Sequence, residues 1–228
     1  MMAPTSTAPT TAAAPPSSPS AAATTSSAPA AAKADAGAPA DDLEGRIPDI
    51  EYVPTPQTVV DKLLDVAKIK KDDVLYDLGC SDGRIVIDAA KRFGIKAVGF
   101  DIDPKRVAES LENVKRNHVE HLVTIEHKDI FTVDLSPASV VTLYLLPELN
   151  VRLIPQLEKL KPGSRIVSHD FDMEGVDPEF TWTVIARDHR TPKNREHYVY
   201  LWKTPLKKNA VPAAPARTAR CARRAGAR

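Results

Sequence analysis

Between residues 74 and 171 the apolar side chains switch repeatedly between two spacings, and that alternation constrains the fold more than any other feature of the chain. VLYDLG (74–79), KAVGFDID (96–103), VTIEHKD (123–129), SVVTLYLL (139–146) and SRIVSHDF (164–171) are short and rich in Val, Ile, Leu and aromatic residues, as buried strands are. Between them, RIVIDAAKRF (84–93), a run from Asp103 and Pro104 to about Asn117, and another from Pro147 to Leu160 place apolar residues at helical spacing. A further helix is predicted over 56–69, with Thr55 as its N-cap and Pro56 at its first position. Strands alternating with helices build right-handed βαβ units and a parallel sheet covered on both faces. The last two strands, 181–190 and 197–204, alternate by two and are joined by TPKNRE with no helix between them, so they predict a hairpin on the sheet edge. The expected fold is therefore α/β: a Rossmann-like, seven-stranded, mostly parallel sheet with helices on both faces and a terminal antiparallel hairpin.

Composition marks where that domain stops. Residues 1–44 hold 16 Ala, 7 Pro, 6 Ser and 6 Thr and no aromatic side chain, too little apolar surface to offset the entropy of ordering, and are expected to be a disordered extension. Residues 207–228 carry seven Lys and Arg and no acid, a basic tail expected to be disordered. The net charge of +1 then leaves −3 for residues 45–206, one domain of ordinary size. No apolar run approaches the roughly 18 to 20 residues that span a bilayer, so no membrane association is indicated. Cys80 and Cys221 are too few and too far apart for a disulfide framework or a cysteine zinc site, which fits a reducing compartment. The N-terminus lacks the features of a signal peptide or a mitochondrial presequence, and a cytoplasmic location is expected.

GCSDG (79–83) stands where the first strand passes into a helix, and three chemistries compete for such a turn. A dinucleotide site wants a G-x-G-x-x-G run, but Ser81 and Arg84 occupy two of those positions. A hydrolase elbow would make Ser81 the nucleophile, but such an elbow normally follows several strands, and this is the first. The third reading uses more residues. Asp101 ends the second strand where an acid accepts hydrogen bonds from both ribose hydroxyls. Asp77 and Asp82 suit a cationic amino group and repel a pyrophosphate. Asp129, with Ile102 and Ile130 as an apolar wall, suits an adenine amine. Ribose, adenine and a cationic amino acid together describe S-adenosylmethionine.

DLGCSDGR, DIDP, HKDIF and the terminal hairpin resemble the motifs of class I S-adenosylmethionine-dependent methyltransferases, a likeness that covers essentially all of residues 45–206. YVPTP (52–56), YLLPELN (144–150) and SHDFD (168–172) look like bacterial relatives of the mitochondrial lysine methyltransferases that modify the ADP/ATP translocase and the ATP synthase c subunit. Ser81 departs from the glycine usual in that family, and the Ala/Pro tract stands where those enzymes carry a membrane-targeting segment. The resemblance implies that Tyr52, Thr55, Asp77, Gly79, Cys80, Ser81, Asp82, Gly83, Asp101, Ile102, Asp129 and Ile130 form the cofactor site, with Tyr52 and Thr55 closing over its methionine end.

Methyl transfer from a sulfonium is an in-line displacement that needs alignment and exclusion of water. The acceptor slot is expected at the carboxyl end of the fourth strand, with Tyr144, Pro147 and Glu148 on the substrate side and His169 close by. A protein lysine amine is the expected acceptor, and a small molecule or a sensor that binds the cofactor without turnover are the rivals. Nucleic acid is disfavoured, because LLPE replaces the Asn/Asp-Pro-Pro-aromatic turn of amino-methylating nucleic-acid enzymes and the domain is acidic. No metal is expected, since His118, His121 and His127 are irregularly spaced, and the chain is expected to be a monomer or a weak oligomer.

Overall fold

The computed structural model describes residues 52–187, 189 and 193–209. The extension expected over 1–44 and the tail beyond 209 lie outside the described residues. Seven strands form one sheet: β1 (Val74–Leu78), β2 (Lys96–Asp101), β3 (Val123–His127), β4 (Val140–Leu143), β5 (Arg165–His169), β6 (Phe180–Arg187) and β7 (Asn194–Lys203). Their spatial order is β3-β2-β1-β4-β5-β7-β6. The first five strands run parallel, and β7 inserts antiparallel between β5 and β6. The hairpin thus adds to the sheet through its second strand, leaving β6 at the edge.

Among the described residues, four helices cover the sheet: α1 (Gln57–Val66), α2 (Arg84–Phe93), α3 (Pro104–Arg116) and α4 (Pro147–Leu157). Val59, Leu63 and Leu64 of α1 and Val86 and Ala89 of α2 pack on one face with Leu75, Val140 and Val167. Leu153 and Leu157 of α4 pack on the other with Leu78, Val141 and Ile166. The α3 start is as the sequence predicts, with Asp103 capping through Lys105 N (2.8 Å) and Pro104 in the first turn. The α1 start is different. Pro56, not Thr55, is the N-cap, and no side chain caps this helix, because the Thr55 hydroxyl turns inward to the His169 ring.

At the amino end of the sheet, a buried ion pair joins Arg165 of β5 to Asp73 before β1. Asp73 also accepts from Ser139 Oγ (2.7 Å) and Lys70 N (2.6 Å), and Arg165 Nε donates to Ala67 O (3.0 Å). Burial pushes the Asp73 carboxyl up, but those donors outweigh it and hold the group below its ordinary value. The fold continues past the expected boundary at 206: Asp177 N donates to Lys207 O (3.0 Å), Asn209 N to Gly175 O (2.8 Å), and Lys208 pairs with Glu158 (2.7 Å).

Candidate functional site

At the carboxyl ends of β1 to β4 a cleft opens, the place where ligands bind such sheets. Its floor is the turn after β1. Gly79 N and Cys80 N both donate to Phe100 O (2.9 Å each), and Gly83 N donates to Cys80 O (2.8 Å). Gly79 (φ +84°), Ser81 (φ +52°) and Gly83 (φ +78°) all lie in the left-handed region, where Ser81 is the costly one. The turn is tight against β2: a Cβ on Gly99 would stand 2.7 Å from Cys80 Sγ, so only glycine fits that strand position.

Asp101 organises the turn. One of its carboxylate oxygens accepts from Ser81 N (2.8 Å) and the other from Asp103 N (2.9 Å). Burial raises its carboxyl above the ordinary value despite these donors. Asp77, buried beneath the cleft, accepts from Thr142 Oγ1 (2.6 Å). Burial pushes Asp77 up to about 7 against that bond, with further repulsion from Asp101 and Asp82. Asp129 lies at the far side, its Oδ1 accepting from Phe131 N (2.9 Å) at the start of a 3-10 turn, Ile130–Thr132. These carboxyls along one wall fit a cationic, hydroxyl-bearing ligand and oppose a pyrophosphate.

The cleft is lined by Tyr52, Thr55, Asp77, Gly79, Cys80, Ser81, Asp82, Asp101, Ile102, Asp129 and Ile130 among the residues expected from sequence, and by Tyr144. Gly83 does not line it and serves instead as the α2 N-cap, where a Cβ would press on Ser110 (3.0 Å). Asp82 differs from expectation in its partner. Its carboxylate is bound by Arg84 (2.6 Å) and by the Tyr52 hydroxyl (3.2 Å), so its charge is already matched and does not await a ligand's amine. Burial raises the Asp82 carboxyl, but Arg84 outweighs it and holds the group below its usual value. Arg84 Nη1 also donates to Thr55 O (2.6 Å), tying the segment before α1 over the cleft, and Arg106 stacks 4.7 Å from the Tyr52 ring. Cys80 is 4% exposed, and burial pushes its thiol well above the ordinary value, which suits a packing role and not a nucleophile.

The substrate-side residues separate. Tyr144 lines the cleft and also a second, adjoining depression formed with Val53, Leu146, Asp170, Phe171, Arg195 and Tyr198. Pro147 and Glu148 line neither; they open α4, where Glu148 is exposed and meets the positive end of the helix. His169 lines neither as well. It is fully buried behind Tyr144, ring centroids 3.9 Å apart. Burial lowers its pKa to about 3, with Asp170 opposing and His197 and Arg195 adding to the effect, so the ring is neutral. His197, which the motifs do not single out, joins this group from an inward position of β7, where the alternation of the strand buries it. His169, Asp170 and His197 bring their ligating atoms within 4.8 Å of one another, but Asp170 is already paired with Arg195 (2.6 Å). His127 instead stands apart, its Nε2 2.9 Å from Ile102 O.

Residues 77–180 match the family model described as the ANTKMT methyltransferase domain. A curated protein-lysine N-methyltransferase of Saccharolobus islandicus is 46% identical over 158 residues, covering 68% of this chain and 94% of that protein. A lysine N-methyltransferase of Xenopus laevis named for the ATP synthase c subunit is 30% identical over 152 residues, and the alignment covers 60% of this chain and 65% of the frog enzyme's length. A crystal structure described as an RNA methyltransferase from Salinibacter ruber in complex with S-adenosyl-L-homocysteine is 45% identical with a TM-score of 0.60, covering 69% of this chain and 97% of that one.

The buried acid beneath the cleft carries a pH prediction. A ligand with an ammonium group favours ionised Asp77, so below about pH 7 binding must displace its proton. S-adenosylhomocysteine affinity, measured by calorimetry, should rise by up to about tenfold per pH unit from pH 5.5 towards 7 and flatten above it, and Asp77→Asn should remove the slope.

Proposed function

Because the chain belongs to the ANTKMT methyltransferase domain family of S-adenosylmethionine-dependent methyltransferases, we propose that it methylates a lysine amine of a protein, with the cofactor in the first cleft and the acceptor entering through the second. The observation that carries this reading is the junction at Tyr144 and Val53, the two residues common to both cavities. A side chain that reaches in through the second depression meets the first cleft there. Asp101 would accept the ribose hydroxyls, Asp129 with Ile102 and Ile130 would hold the adenine, and Asp77 the amino-acid end. When bound, S-adenosylmethionine supplies a methyl group on a sulfonium, whose departure needs no acid.

The protein's own contribution is alignment and selection. A lysine amine must be neutral to attack, and desolvation in a slot walled by Val53, Tyr144, Leu146 and Phe171 lowers an amine's pKa towards that form. Tyr144, its ring backed by His169, sets the height of the slot. The kinship with the protein-lysine enzyme of Saccharolobus islandicus supports a protein acceptor, as does the acidic balance of residues 45–206. We place the enzyme in the cytoplasm as a monomer or weak oligomer. Among the described residues, no helix is long and apolar enough to cross a membrane.

Labelled S-adenosylmethionine and a cell lysate test the site. Tyr144→Ala should reduce label transfer to protein by about 100-fold or more while S-adenosylhomocysteine binding stays within about threefold. Unchanged transfer would remove Tyr144 from the acceptor site. No transfer by the intact protein to any fraction would favour a sensor, and label in RNA would favour the activity ascribed to the Salinibacter ruber relative.

A further inference from the structure

Behind Tyr144, a buried polar chain joins Thr55 to the end of β5 and to β7. Thr55 Oγ1 stands 3.2 Å from His169 Nδ1, and His169 Nε2 stands 2.9 Å from His197 Nδ1. Asp170 Oδ2 lies 3.3 Å from His169 Nε2 and 3.5 Å from His197 Nδ1. The Asp170 carboxylate is held in turn by Arg195 Nη2 (2.6 Å) and Tyr198 N (3.0 Å). Thr55, His169 and His197 are each 4% exposed or less. A polar network this deep is costly unless each member has a partner, and it fixes its members when they have one.

Sheet order says which part of the cleft this chain serves. The cleft runs across the strand ends in the order β3, β2, β1, β4, with Asp129, Asp101, Asp77 and Tyr144 in turn. Thr55 is tethered to β5, beyond Tyr144 and farthest from the ribose and adenine side. It therefore faces the amino-acid end.

Resting on the cofactor reading above, we propose that His169, held by His197 and Asp170, is a positioning residue that fixes the Thr55 hydroxyl as a hydrogen-bond acceptor for the amino-acid end of S-adenosylmethionine. The ionised Asp170 carboxylate favours a proton on His169 Nε2, which leaves Nδ1 to accept the hydroxyl proton of Thr55. The Thr55 oxygen then turns its lone pair to the cleft, in keeping with the carboxyls that line the same wall. The neutrality of the buried His169 ring is consistent with this arrangement.

Two ligands separate positioning from stability, because adenosine lacks the amino-acid end and S-adenosylhomocysteine has it. By calorimetry, Thr55→Val and His169→Leu should each weaken S-adenosylhomocysteine about tenfold and leave adenosine within about twofold. The double variant should bind no worse than either single one, as coupled residues do. His169→Asn, whose amide reaches as far as Nδ1, should recover binding to within about threefold, whereas His169→Gln, which reaches towards His197 instead, should not. If His169→Leu does not fold, Thr55→Val with the Asn and Gln pair gives the same answer. Equal losses for both ligands, additive losses in the double variant, or no loss would overturn the inference and leave the cofactor reading intact. Wild-type protein that binds neither ligand would overturn both. One equivalent of a divalent metal in the purified protein, read by elemental mass spectrometry, would also overturn it, since the imidazoles would then be ligands.

Discussion

Replacing Asp73 with alanine should lower the unfolding free energy by about 3 to 5 kcal/mol, the largest effect expected of any substitution outside the hydrophobic core. The loss does not measure the worth of the Asp73–Arg165 pair. It arises because the Arg165 guanidinium stays buried with its charge uncompensated, its side chain only 10% exposed, while Ser139 Oγ and Lys70 N lose their acceptor. The pair ties the starts of β1, β4 and β5 together, far from the cleft. Urea unfolding should therefore show a lower midpoint, and ligand affinity in the folded fraction should be unchanged. The sign of the pH dependence follows from the depressed Asp73 carboxyl: its contribution is present above the ordinary carboxylate range and is lost as pH falls through the folded value. An Asp73→Ala protein as stable as the wild type would mean that Arg165 finds another partner.

Asp101→Ala should weaken S-adenosylhomocysteine binding by about 2 to 4 kcal/mol, the scale of two hydrogen bonds to a charged acceptor. Two losses combine. The proposed ribose acceptor disappears, and the turn that Asp101 holds through Ser81 N and Asp103 N is released. Ser81 sits at φ +52°, a conformation its side chain disfavours, so the turn depends on that anchor more than a glycine would. Asp101→Asn keeps one acceptor oxygen and should lose less. Calorimetry giving wild-type affinity for Asp101→Ala would refute the assignment.

What could be read in the sequence was whatever rests on local spacing. Hydrophobic period distinguishes strand from helix, the change from strand to helix locates the glycine turn, and the last residues of a strand lie at the cleft, so Asp77, Asp101 and Asp129 could be found one by one. Neutralisation by a neighbour could not. Asp82 and Arg84 are two positions apart, but only the fold turns that guanidinium onto the carboxylate instead of into solvent. Pro147 and Glu148 lie near the right strand end, but α4 begins there and carries them past the cleft. The polar chain behind Tyr144 joins Thr55, His169 and His197, separated by 114 and 28 positions, through an antiparallel strand inserted between β5 and β6. No local pattern encodes that insertion. The same distance hid the Thr55 hydroxyl's partner and made it look like a helix cap.

The proposed passage of methyl groups from S-adenosylmethionine to lysine can be measured directly. The most direct measurement incubates the purified protein and labelled S-adenosylmethionine with a lysate lacking the endogenous enzyme, then digests the products and identifies each labelled residue by mass spectrometry. Label is expected on the ε-amine of lysine within one protein or a small set of proteins, and is expected to be lost with Tyr144→Ala. Label recovered in methylated nucleosides or in a small metabolite, with none on lysine, would contradict the proposal.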